Sequence, residues 1–175
     1  EDFSYEDMIP NEEVVITVSH QGYVKRTALT EYRTQGRGGI GSKGVSTKDD
    51  DWTEYLFTAS THNYLLSFTD KGKLFWLKTY AIPEGSKVSK GRPIQNLINI
   101  TQDDKIRSII QVENLEDQDY INNHFLVMVT KQGVIKKTTL EQYSRPRSNG
   151  IIALNFREDD QLVHVAKTNG SQHIV

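Results

Sequence analysis

Cysteine is absent from the 175 residues, which excludes disulfides and thiolate metal sites and is compatible with a reducing compartment. No apolar run approaches the ~18 residues needed to span a bilayer, and no signal-peptide pattern is visible. The expected compartment is the cytoplasm. Apolar residues alternate in twos or run for about five instead of recurring at 3.6, so long amphipathic helices are not expected. Metal-ligand spacing is missing too: His20, His62, His124, His164 and His173 read as surface or packing residues. The acidic clusters lack the alternating pattern of a calcium loop, and no Ser, His and Asp order supports a triad. Catalysis has little support in this chain. Hydrophobic residues make up 36% of it, and a chain of this size buries roughly 70% of its unfolded surface.

Net charge is only -2, yet the charge is unevenly placed. Residues 20–48, 71–92 and 131–147 hold 17 of the 21 Lys and Arg and only 3 of the 23 Asp and Glu. Cations at regular intervals suit a long polyanion better than a small ligand.

These windows keep step with a repeated pattern. Acidic turns at Asp49-Asp50-Asp51, Asp103-Asp104 and Glu158-Asp159-Asp160 each precede a β-prone run: Trp52 to Ala59, Lys105 to Val112 and Gln161 to Lys167. In phase with them, an apolar strand, two polar residues and a glycine precede a second strand. The copies are Val14 to Ser19 with Gly22, Tyr64 to Phe68 with Gly72, Phe125 to Val129 with Gly133, and a broken one at Gly170. Each glycine stands where a hairpin needs positive φ. The polar insertion Glu113 to Asn123 is expected to form a surface loop.

Each cycle reads as four short strands: one after the acidic turn, two flanking the glycine, and a fourth after a basic loop. Candidate fourth strands are Pro93 to Ile98 and Ile151 to Phe156. Four strands per repeat of about 50 residues is the mark of a propeller-like blade, so the chain is expected to be all-β. The repeats run roughly over 8–51, 52–104 and 105–160, with a partial one at 161–175. About three and a half blades cannot close a ring of ~4 to 8. The chain also opens at Glu1 without Met, so it is expected to be a fragment of a longer protein.

Basic residues recur in two sets. On the strand after the glycine lie Lys25 and Arg26, Lys73 and Lys78, and Lys136 and Lys137; strand alternation lets about half point one way. In the loop before each fourth strand lie Arg33, Arg37 and Lys43, then Lys87, Lys90 and Arg92, then Arg145 and Arg147. The expectation is that these cations line one outer edge, where they meet phosphate after phosphate, with specificity left to deformability. Tyr32, Tyr80 and Tyr143, also in phase, are read as core or corner anchors, as are Trp52, Phe75 and Trp76.

The loop Gln35-Gly36-Arg37-Gly38-Gly39-Ile40-Gly41-Ser42-Lys43-Gly44 matches G-x-G-x-x-G but has neither the strand nor the helix that motif needs, and it has the wrong order for a P-loop. It reads either as a loop whose amides and cations approach a phosphodiester or as a flexible connector.

Together, VVITVSHQGYVKRTALTEYRTQGRGGIG (Val14 to Gly41), THNYLLSFTDKGKLFWLKTYAIP (Thr61 to Pro83), KGRPIQNLI (Lys90 to Ile98) and FLVMVTKQGVIKKTTLEQYSR (Phe125 to Arg145) resemble the family of DNA gyrase A C-terminal domains. Gln35 to Gly41 falls on that family's box, usually Gln-Arg-Arg-Gly-Gly-basic-Gly. Gln35, Arg37, Gly38, Gly39 and Gly41 match; Gly36 and Ile40 replace two cations, for which Arg33 and Lys43 could compensate. The relative topoisomerase IV lacks an intact box. The resemblance implies a β-pinwheel, a ring of roughly six blades whose neighbours exchange strands, with double-stranded DNA bent around a basic rim. It implies an assembly with the rest of the gyrase A polypeptide and with the gyrase B polypeptide, as A2B2, that introduces negative supercoils. ATP, Mg2+ and the DNA-cleaving tyrosine then belong to other parts of that assembly, and the fragment itself needs no cofactor and touches no membrane. A propeller-like protein-interaction scaffold, or the corresponding topoisomerase IV domain, is the alternative.

Overall fold

A computed structural model of the chain describes residues 4–33, 50–157 and 159–169. Two compact units emerge, one within residues 1–63 and 78–97, the other within 64–77 and 98–175. The all-β expectation is met. The strands are β1 (Glu13–Ser19), β2 (Tyr23–Ala28), β3 (Thr53–Ser60), β4 (Tyr64–Thr69), β5 (Lys73–Lys78), β6 (Arg92–Pro93), β7 (Ile106–Val112), β8 (Phe125–Thr130), β9 (Ile135–Thr139), β10 (Ile151–Ile152) and β11 (Leu162–Thr168). Among the described residues the α-helices are one turn, α1 (Thr30–Arg33), and six residues, α2 (Gln118–Asn123).

The first unit holds a sheet in the order β3-β1-β2-β6. The second holds β10-β5-β4-β7 and a three-stranded sheet, β11-β8-β9. Each is centred on one glycine hairpin, and the strands added to that hairpin (β3 and β6, β7 and β10, and β11) come from the following cycle. β1 pairs with β3 from Glu13 opposite Ser60, and β4 pairs with β7 from Tyr64 opposite Val112. A sheet is therefore offset from the cycle that the acidic turns mark. The fourth strands are shorter than Pro93 to Ile98 and Ile151 to Phe156, at two residues each; a 3-10 turn at Ile94–Asn96 ends the first.

The acidic turns have a structural task that repeats three times. The Oδ1 of Asp51 accepts from the amides of Gln21 (2.9 Å) and Trp52 (3.0 Å). Asp104 Oδ1 does so from Lys71 (3.1 Å) and Lys105 (2.9 Å), and Asp160 Oδ1 from Gln132 and Gln161, both at 2.9 Å. Each carboxylate thus ties the start of one cycle to the hairpin before it. Within those hairpins Gly22, Gly72 and Gly133 have φ of 88°, 82° and 88°, and their amides close the turns on Ser19, Thr69 and Thr130. Left-handed backbone disfavours a side chain at these positions.

Val14, Val15, Ile16, Val18 and Val24 fill the interior of the first sheet. In the second unit Leu66, Phe68, Leu74, Leu126, Met128 and Leu162 form the core, and Phe68 meets Tyr143 edge-on at 6.0 Å. The insertion Glu113 to Asn123 is not purely a surface loop. Asp117 caps α2 through the Tyr120 amide, and Leu115 and Ile121 are buried in the core, because apolar residues within a polar stretch still gain from burial. Trp52 is not a core residue either: it is half exposed and stacks on His20 at 3.9 Å.

Candidate functional site

Both basic sets become separable once the partners of each cation are known. Alternation along β2 puts Tyr23, Lys25 and Thr27 on one face, and the loop from Gly85 to Gly91 is laid along that face. Thr27 Oγ1 donates to the Gly85 carbonyl at 3.0 Å. Lys25 Nζ donates to the carbonyls of Ser86 (3.0 Å), Lys87 (2.7 Å) and Ser89 (2.7 Å). Lys90 Nζ sits 4.0 Å from the centre of the Tyr23 ring. Lys25 is only 7% exposed, and burial lowers its pKa while Glu31 pulls it back up. Its donors are spent inside the protein, so it does not belong to an outward row.

Arg26 and Lys78 are also engaged. Arg26 donates from Nε to the Ile82 carbonyl (3.0 Å), pairs with Glu84 (3.1 Å) and reaches the Tyr80 carbonyl (3.5 Å). Lys78 Nζ contacts Glu6 (3.1 Å) and the His62 carbonyl (3.0 Å). Charge spacing predicts all three as edge cations; hydrogen bonding turns them inward. Lys73 is half-buried opposite Ile152.

The loop cations behave differently. Lys90 and Arg92 are exposed. Lys87, half-buried, holds its ammonium 4.9 Å from the Tyr32 ring centre, and its amide donates to Glu31 Oε2 at 2.7 Å. In the second unit the loop before β10 carries Arg145, 69% exposed and paired with Glu141 one helical turn earlier at 2.7 Å, and exposed Arg147. Arg92 and Arg147 have no ion-pair partner among the described residues. On β9, Lys136 and Lys137 are exposed; Lys136 donates to the Ala153 carbonyl (3.2 Å), and Lys137 lies 4.5 Å from the Phe125 ring centre. Gln35, Arg37, Gly38, Gly39, Gly41 and Lys43 lie outside the described residues, as does the side chain of Arg33.

Two glycines that charge spacing overlooks make these loops possible. Gly91 (φ 88°) and Gly150 (φ 72°) precede the two-residue strands. A Cβ on Gly91 would stand 2.4 Å from the Val24 carbonyl oxygen, and one on Gly150 would stand 2.7 Å from that of Leu74. The available signal was Ser89-Lys90-Gly91 and Ser148-Asn149-Gly150, and the same pattern stands at Ser42-Lys43-Gly44.

The three-fold hairpin pattern extends to comparisons with known proteins. The sequence profile of a family described as the DNA gyrase C-terminal domain, beta-propeller, matches residues 13–60, 63–113 and 124–169. The chain belongs to this family. The matched stretches begin and end at strand boundaries, from β1 to β3, from β4 to β7 and from β8 to β11. The DNA gyrase A protein of Staphylococcus epidermidis is 45% identical over 175 residues, all of this chain and 19% of that protein. Its Haemophilus influenzae counterpart is 44% identical over 174 residues, 99% of this chain and 19% of that protein. The chain thus spans about a fifth of the length of these relatives. Among solved structures, the C-terminal domain of DNA topoisomerase IV superposes with a TM-score of 0.74 at 32% identity, covering 93% of this chain and 48% of that one. The DNA gyrase A C-terminal domain superposes with 0.68 at 24% identity, over 90% and 48%, which bears on the fold alone. No helix among the described residues is long and apolar enough to cross a membrane.

Proposed function

We propose that this gyrase C-terminal domain binds double-stranded DNA without sequence preference and wraps it, so that a gyrase carrying it introduces negative supercoils with ATP. The observation that supports this reading is the recurrence of outward cations at one position of the fold. The loop before β6 and the first residue of that strand present Lys87, Lys90 and Arg92, and the loop before β10 presents Arg145 and Arg147. Each cation that neutralises a phosphate releases condensed counterions, and contacts confined to the backbone leave the sequence unread. Lys136 and Lys137 are exposed candidates for the same role. Gln35, Arg37, Gly38, Gly39, Gly41 and Lys43 remain candidates by resemblance.

In this reading the chain contributes no catalytic group. Its partners are the DNA duplex, the remainder of the gyrase A polypeptide and the gyrase B polypeptide in an A2B2 assembly, in the cytoplasm. ATP and Mg2+ act in other parts of that assembly.

The test is topological. Nicked circular DNA sealed by ligase in the presence of the chain shifts in linking number with one hand, and the shift shrinks when salt is raised. Binding without any shift overturns wrapping; absence of binding overturns the DNA reading.

A further inference from the structure

We propose that Lys25, which is buried, is a positioning residue that holds the 85–91 loop so that Lys87, Lys90 and Arg92 are presented together to the DNA backbone. The inference rests on the DNA-binding reading above and adds to it a cation that works without touching the polyanion.

The loop is built around the Lys25 side chain. A Cβ on Gly85 would lie 3.3 Å and 3.4 Å from the Lys25 Cβ and Cδ, and one on Gly91 would lie 3.2 Å from the Lys25 Cβ. Glycines therefore stand where both ends of the loop cross the lysine stem. Between them the ammonium gathers the carbonyls of Ser86, Lys87 and Ser89. Three donors on one nitrogen match three acceptors on one short loop. A loop with three carbonyls turned toward one inward charge leaves the side chains of Lys87 and Lys90 for the other surface. Lys90 stands over Tyr23 and Lys87 over Tyr32, so two of the three outward cations also rest on rings that steady them. At the start of the loop the Thr27 hydroxyl, on a residue with no exposed surface, holds the Gly85 carbonyl.

Preorganisation is what such a device supplies. Three long cationic side chains on a slack loop must be ordered when DNA binds, and that cost is subtracted from affinity. Lys25→Met keeps the stem and removes the three donors. Thr27→Val keeps the shape, removes the other hold, and cannot alter a direct contact, since Thr27 is fully buried. Thermal melting confirms that each variant is folded, and Thr27→Val carries the test should Lys25→Met fail to fold.

Binding to a fluorescently labelled duplex of mixed sequence is then measured against salt for the chain, for each variant, and for each variant combined with Lys87→Gln, Lys90→Gln and Arg92→Gln. Lys25→Met is expected to weaken binding about fivefold, and Thr27→Val less, with hydrogen exchange at 85–91 accelerated. In the triple background neither change has any further effect, because the cations it positions are gone. An undiminished loss in that background overturns the positioning role and makes Lys25 a direct contact or a general support of the fold. Unchanged affinity for Lys25→Met overturns it as well. If the unmodified chain fails to bind the duplex at any salt concentration, the DNA reading falls and this inference falls with it. Normal binding by the unmodified chain with additive losses sinks the inference alone.

Discussion

Lys25 and Arg26 in the sheet β3-β1-β2-β6 occupy the places that Phe75 and Trp76 hold in β10-β5-β4-β7, three and four residues after their hairpin glycines. The tasks are the same and the chemistry is not. Arg26 reaches the Tyr80 carbonyl, and the Trp76 indole N–H donates to that of Tyr143 at 2.9 Å. Lys25 carries a loop on three hydrogen bonds, while Phe75 carries one on its ring, with Gly150 pressed against it. In one sheet a loop is seated by charge-assisted hydrogen bonds, and in the other by apolar packing. A cation in phase with other cations is therefore not, by that fact, a cation on the surface. Its partner decides.

Exchanging the two solutions is the harshest test of that equivalence. Phe75 is 1% exposed, and Phe75→Lys places an ammonium where ring atoms now meet Gly150. It is expected to cost about 3–5 kcal/mol, from lost packing and an uncompensated buried charge. Lys25→Met, which leaves three carbonyls in need of water, should cost about 1–2 kcal/mol. Denaturant unfolding of both variants decides the matter. Equal, small losses would mean that the seat of the loop is indifferent to its chemistry.

The hairpin glycines offer a comparison with geometry held constant. All three have nearly the same φ, but a Cβ would meet the Leu154 oxygen at 2.6 Å at Gly72, Ile94 at 3.4 Å at Gly22, and nothing within 4 Å at Gly133. Gly133→Ala then costs only the left-handed penalty of about 1–2 kcal/mol. Gly72→Ala adds a backbone collision and should reach about 3 kcal/mol. Similar melting temperatures for the two variants would remove the close approach as a cause.

Tyr143 gives the second unit a dependence on alkaline pH. It is buried, its hydroxyl donates to the Ala153 carbonyl at 3.2 Å, and burial pushes its pKa up to about 12. Because the folded value lies above the unfolded 10.0, this tyrosine's contribution is whole below pH 10 and fades as pH rises from 10 toward 12. The loss amounts to about 3 kcal/mol at most. Tyr143→Phe should lack that fading in unfolding curves between pH 9 and 12. An identical fading in the variant would assign it to other groups.

Much of the fold was legible because backbone requirements leave residue-specific traces. Glycine marks left-handed turns, and Asp51, Asp104 and Asp160 mark the carboxylates that tie hairpins. Which sheet a strand joins left no such trace: β3 follows Asp51 in sequence and yet completes the sheet of β1. Charge spacing picked out cations that are exposed, among them Lys90, Arg92, Arg145 and Arg147. It could not show that Lys25 and Arg26 turn inward, because a strand side chain's face is fixed by alternation but its partners come from residues more than 50 positions away.

The smallest expected effect tests whether exposed cations and inward-turned cations differ in function. Arg92→Gln or Arg147→Gln should leave stability within about 0.5 kcal/mol, as surface substitutions do. Each should lower the slope of log affinity against log salt by about 0.9, one phosphate's worth of released counterions. Arg26→Gln should do the reverse. Its guanidinium is 16% exposed and supports the Tyr80, Ile82 and Glu84 segment, so stability falls by about 1–3 kcal/mol while the slope holds. A slope that drops for Arg26 and not for Arg92 would exchange the two roles, because affinity can fail through a loosened fold but the slope counts only phosphates that the cations themselves neutralise.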